Sequence, residues 1–102
     1  MELEENLIEI ISLSGEVKKK FLKAVKHAKN NEPKEAEEIY QEADDQLIKA
    51  HLKQTELINK EAGGEKLDSS LLLTHAQDHL MTAILLKDMA KEFMDLYQRI
   101  EE

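Results

Sequence analysis

Three glycines and one proline are all that interrupt these 102 residues, and their positions cut the chain into long helical segments. Pro33 suits the first position of a helix, where its missing N–H costs nothing, so Asn30-Asn31-Glu32-Pro33 reads as the end of one helix and the start of the next. Gly63-Gly64 stops the second helix, and Ser69 or Ser70 caps the third. Gly15 falls inside the first helix and weakens it locally by about 1 kcal/mol relative to alanine. Aromatic residues make up only 4% of the chain, β-branched residues are sparse, and Ala, Leu, Glu and Lys dominate, all of which favours helix over strand. The sequence therefore predicts an all-α fold with helices over about 2–30, 33–62 and 70–99. Apolar residues recur at helical spacing in each, from Leu3, Leu7, Ile10 and Ile11 through Val17, Phe21, Ala24, Val25 and Ala28 in the first. Helices of that length, each about 40 Å long and joined by short connections, make an antiparallel, up-down-up three-helix bundle. The length fits a single domain over 1–102.

Composition narrows the function. The formal net charge of −8 argues against nucleic acid, since binding a phosphate backbone needs clustered Lys and Arg, and the one basic run, Lys18-Lys19-Lys20, is short. The chain has no cysteine, which excludes disulfides, thiolate metal sites and a cysteine nucleophile, and fits a reducing compartment. The N-terminus is acidic where a secretory signal would be basic, so a cytoplasmic location is expected. Ser69 to Leu86 carries a single formal charge, Asp78, but His75, Gln77, Asp78 and His79 near its middle exclude a membrane span.

That quiet stretch is the most informative part of the chain. In the third helix Leu80, Met81, Ala83, Ile84, Leu85 and Leu86 point in all directions, whereas a helix packed on one side needs only a stripe. A second apolar face implies another subunit. Within it, spacings of three and four place His75, Asp78, His79 and Thr82 on one helix surface, where a carboxylate and two imidazoles are costly to bury unless paired, metal-bound or exposed in a reactive cleft.

Several readings compete for this cluster. The residues could be ordinary polar groups at the edge of the core, hydrogen-bonded to neighbouring helices. His75, Asp78 and His79 could hold a metal, with His27 or His51 recruited from other helices, although no Glu-x-x-His pair of the di-iron bundles occurs. His75 could be a nucleophile, within about two turns of a helix start where free N–H groups and the macrodipole favour phosphate. No Walker lysine loop or Ser-His-Asp pattern supports nucleotide hydrolysis or acyl transfer. The remaining alternative is a non-catalytic helical oligomerisation and interaction module with a structural metal site, its buried polar residues setting register.

The run Leu73-Thr74-His75-Ala76-Gln77-Asp78-His79-Leu80-Met81-Thr82-Ala83-Ile84-Leu85-Leu86-Lys87-Asp88 closely resembles the enzyme IIA signature of the lactose/cellobiose (N,N'-diacetylchitobiose) type sugar phosphotransferase system. Ala50-His51-Leu52-Lys53-Gln54-Thr55 is similar to that family's Ala-His-x-x-Gln-Thr stretch, Leu96-Tyr97 fits near the end, and the likeness spans essentially the whole chain. The resemblance implies a phosphocarrier that takes a phosphoryl group from the histidine phosphocarrier protein HPr and passes it to a cysteine of the cognate IIB component. It implies His75 as the phosphorylated residue, at Nε2, with His79 and Gln77 beside it. It also implies a homotrimer in which Asp78 and its two symmetry copies surround a divalent cation such as Mg2+ on the axis. Ala76 stands where the family commonly has glycine, adding a methyl beside His75. Lactose, cellobiose and chitobiose types share these motifs, because the sugar is selected by the membrane component.

Overall fold

The computed structural model describes residues 2–67 and 70–101. They form three helices, α1 over Glu2–Lys29, α2 over Pro33–Ala62 and α3 over Leu71–Glu101, in a rod measuring 54 × 20 × 20 Å. The expected bundle is present, with helix ends within one or two residues of those read from the sequence. No strand occurs among the described residues.

α1 and α2 end in the same local device. Asn31 takes a positive φ of 58°, while the Glu32 N–H reaches the His27 carbonyl at 2.9 Å and the Asn31 N–H reaches that of Ala28 at 3.1 Å. Gly64 repeats the arrangement at the end of α2 with φ of 98°, its own N–H donating to Glu61 O and that of Glu65 to Lys60 O, both at 3.1 Å. This pair of bonds closes orphan carbonyls at a helix end and needs a residue that tolerates the left-handed region. Asn and Gly do so most readily. Ser70 caps α3, its Oγ accepting the Leu73 N–H at 3.0 Å; Ser69, the alternative cap, lies outside the described residues.

The packing follows a seven-residue repeat. In α1 the buried side chains fall into two interleaved series, Ile10, Val17 and Ala24 with Leu7, Ser14, Phe21 and Ala28. Facing them are alanines at the same interval, Ala36, Ala43 and Ala50 in α2 and Ala76, Ala83 and Ala90 in α3, none more than 1% exposed. A side chain as small as alanine at every seam position lets helices approach closely, and the 3.5-residue period is that of near-parallel, coiled-coil-like packing. Phe21 is the largest fully buried side chain and meets Tyr40 with ring centroids 5.1 Å apart.

α1 is the spine of the bundle, packing along both other helices, whereas α2 and α3 share a much shorter seam. Across that seam Lys87 Nζ lies 2.7 Å from Asp44 Oδ1, and this hydrogen bond raises the Lys87 pKa against the opposing effect of burial. Gly15 has open space where a Cβ would stand, with no atom within 4 Å. Gly15→Ala therefore gains helix propensity at no steric cost and is expected to raise unfolding stability by about 1 kcal/mol, measured by chemical denaturation at fixed protein concentration.

Candidate functional site

The capped start of α3 carries the candidate site. Ser70 anchors the first turn, and its carbonyl takes the Thr74 N–H at 3.1 Å, fixing the backbone just before His75. Residues four apart lie one above the other on a helix surface, so His75 and His79 meet. Their Nε2 atoms are 3.1 Å apart, and the rings stand edge to face at 88° with centroids separated by 4.4 Å. His75 is exposed and His79 half-buried.

A third group completes the row. Lys18 Nζ, reaching over from α1, lies 3.1 Å from His79 Nδ1, so the row runs ammonium, imidazole, imidazole toward solvent. Burial lowers the His79 pKa first, the Lys18 charge and His75 lower it further, and Asp78 opposes them. Burial also lowers the pKa of Lys18. A neutral His79 can offer one N–H and one lone pair, which suits it to link its two neighbours. Beside His75, Leu71 and Leu72 form a shallow apolar surface, and Leu71 is 86% exposed.

The other predicted site residues divide. Asp78, expected with its symmetry copies on the axis of a trimer, is exposed in the single chain. The core side of α3 is carried by Ala76, Leu80 and Ala83 instead, and about 200° of helix rotation separates Asp78 from Ala76. Thr82 is taken up by its own helix, donating to the carbonyls of Asp78 at 2.9 Å and His79 at 3.0 Å. Gln77 is two residues from His75 and so on nearly the opposite side of α3, where with Gln54, Leu57 and Ile58 it lines a cleft toward the end of α2. Ala76 is 1% exposed, so its methyl is spent in the core rather than in the approach to His75.

His27 bonds Glu32 at 3.0 Å beside the α1–α2 turn, and His51 lines a separate cleft with Asp44, Ile84 and Lys87. Neither joins His75. Among the described residues no three His, Asp or Glu side chains are grouped to hold a metal ion, so His75, Asp78 and His79 do not form a metal site within one chain. Lys18 is the residue that sequence reasoning passed over, because the basic run was weighed only as a binding patch and lies 61 residues from its partner.

With this geometry in place, comparison with known proteins is decisive. Residues 5–98 match the family described as PTS system, Lactose/Cellobiose specific IIA subunit. The chain belongs to that family. It is 46% identical over 101 residues, 99% of this chain and 92% of the relative, to the lichenan-specific phosphotransferase enzyme IIA component of Bacillus subtilis strain 168. The crystal structure of the PTS cellobiose-specific enzyme IIA from Bacillus anthracis superposes with a TM-score of 0.92 at 43% identity, covering 95% of this chain and 89% of that one. The solution structures of the IIA(Chitobiose)–HPr complex of the Escherichia coli phosphotransferase system give 0.87 at 35% identity, covering 100% and 99%. This IIA chain thus shares the fold and phosphotransferase class of its relatives over essentially its full described length. No helix among the described residues is long and apolar enough to cross a membrane.

The Ser70 cap supports the turn that presents His75. Ser70→Ala is expected to cost about 1 kcal/mol, read by thermal unfolding, and to speed amide exchange at Leu73, whose N–H loses its acceptor.

Proposed function

We propose that this IIA chain carries a phosphoryl group on His75 between HPr and a cysteine of its IIB component. The observation that carries the reading is the pairing of an exposed His75 with a half-buried His79 through their Nε2 atoms. An attacking imidazole needs an accessible lone pair, and a transferred phosphoryl group needs a hydrogen-bond donor where its charge develops. The His75 Nε2 pair forms the new N–P bond as the N–P bond in phospho-HPr breaks, the electrons of that bond returning to the donor ring. In the second step the IIB thiolate attacks phosphorus and the His75–phosphorus bond breaks, restoring the imidazole. The apolar surface of Leu71 and Leu72 gives a docking protein somewhere to exclude water beside the reacting nitrogen. Such a relay places the protein in the cytoplasm with its donor. Similarity to the chitobiose IIA–HPr complex supports HPr as the partner.

Assembly follows from the outer face of α3. Leu85, Met89, Leu96 and Ile100, from 45% to 65% exposed, lie on one line of the helix with Asp78 near its head, and an apolar stripe of this length calls for a protein partner. In the homotrimer we propose, three α3 stripes pack around the axis. Three Asp78 carboxylates would then hold a divalent cation such as Mg2+, whose hard oxygen preference suits such a donor set and whose charge offsets their repulsion. Asp78 makes no ion pair within the chain among the described residues, which leaves its carboxylate available.

With enzyme I, HPr and phosphoenolpyruvate, mass spectrometry is expected to show one added phosphoryl group. His75→Gln should abolish it with helicity intact, while His27→Gln and His51→Gln retain it. A wild type that gains no mass would return the chain to a non-catalytic oligomerisation module. Sedimentation is expected to show a trimer that strong chelation weakens, with Asp78→Leu remaining trimeric without metal. A wild-type monomer at micromolar concentration would contradict the assembly.

A further inference from the structure

The direction of the hydrogen bonds in the Lys18–His79–His75 row follows from what each atom can do. A lysine ammonium has three N–H donors and no acceptor, so His79 Nδ1, 3.1 Å from Lys18 Nζ, must accept. A neutral imidazole that accepts at Nδ1 carries its proton on Nε2. That proton faces His75 Nε2 at 3.1 Å. His75 must therefore accept at Nε2 and keep its own proton on Nδ1. The tautomer of the outer ring is decided two groups away, by a lysine on a different helix.

We propose that Lys18 is a positioning residue for phosphoryl transfer: by fixing the tautomer of His79 it holds the lone pair of His75 on Nε2, the nitrogen that attacks. The inference rests on the reading of His75 as the phosphoryl carrier. The alternative arrangement shows what the lysine prevents. With its proton on Nδ1, His79 would turn a lone pair toward His75, and the bond between the rings would survive only if His75 donated from Nε2. That nitrogen would then have no lone pair to attack with. Lys18 from α1 and His75 from α3 are bonded to the His79 ring, while Asp78 acts on it only through its charge, and of the two bonded groups only the lysine is obliged to donate.

The transfer balances without a proton passing between the rings. The His75 Nε2 lone pair forms the N–P bond and the donor's N–P bond breaks, its electrons returning to the donor ring. The Nδ1 proton of His75 stays on the resulting imidazolium or is released to water. The His79 Nε2–H, freed from the lone pair it had been bonded to, is left pointing where phosphoryl oxygens arrive. Lys18 touches neither phosphorus nor the attacking nitrogen, so its effect is exerted entirely through His79.

The test separates this role from a structural or docking one. In protein labelled with 15N in histidine, ring nitrogen shifts report the tautomers directly, before any phosphoryl donor is added. The wild type is expected to show His79 protonated at Nε2 and His75 at Nδ1. Lys18→Met keeps the aliphatic stem and removes the donor. It is expected to redistribute both tautomers and to slow single-turnover transfer from phospho-HPr about 10- to 100-fold, by analogy with the loss when a metal-ligating imidazole is deprived of the outer partner that orients it, with the half-saturating phospho-HPr concentration unchanged. Lys18→Arg, which keeps an obligate donor, should restore the wild-type tautomers. Wild-type tautomers in Lys18→Met would overturn the proposal, as would weaker half-saturation at an unchanged maximal rate, which marks a docking charge. A wild type that shows the expected tautomers but takes no phosphoryl group on His75 would instead overturn the carrier reading and leave the tautomer assignment standing.

Discussion

Close approach of α1 to its two neighbours is the constraint on which the rest of the structure depends. It is set by alanines every seven residues, Ala36, Ala43 and Ala50 on one side and Ala76, Ala83 and Ala90 on the other. Because α1 takes up the inner faces of both helices, α2 and α3 meet each other only briefly. The outer face of α3 is thereby left for other work. Ala76 and Ala83 also bring the α3 backbone near enough to α1 for the Lys18 side chain to reach His79. The packing of the core and the wiring of the site are therefore one geometric fact.

That arrangement explains how a helix can be apolar nearly all round and still present a polar cluster. Its inner side is core, its outer stripe of Leu85, Met89, Leu96 and Ile100 is exposed in the single chain, and the two histidines lie at the margin between them. A histidine at such a margin can be wet at one nitrogen and held by protein at the other, the condition under which its tautomer becomes a structural property. Complete burial would take the proposed nucleophile away from its donor. Complete exposure would leave its proton free to sit on either nitrogen.

Much of the fold was legible in the chain because its punctuation is so sparse. Pro33 and Gly63-Gly64 divide it where the helices in fact change, and the spacing of His75 and His79 placed the two rings together. The seven-residue alanine series was equally present, but small side chains register weakly in a hydrophobic pattern although they decide how near helices come. Lys18 could not be read at all, since nothing local links it to a residue 61 positions away. Asp78 lies on the side of α3 left exposed in the single chain, and only the register of α3 against α1 shows which side that is. Gln77, adjacent to the active motif in sequence, turns to the opposite face by the same rotation.

The central claim concerns one nitrogen atom, and phosphorus–nitrogen coupling in the phosphorylated, 15N-histidine-labelled protein observes it directly. The expected result is a single phosphorus resonance coupled to His75 Nε2, with His79 retaining its proton on the nitrogen that faces it. Coupling to His75 Nδ1, or to either nitrogen of His79, would contradict the account, because in either case the atom held ready by the Lys18–His79 row is not the atom that reacts.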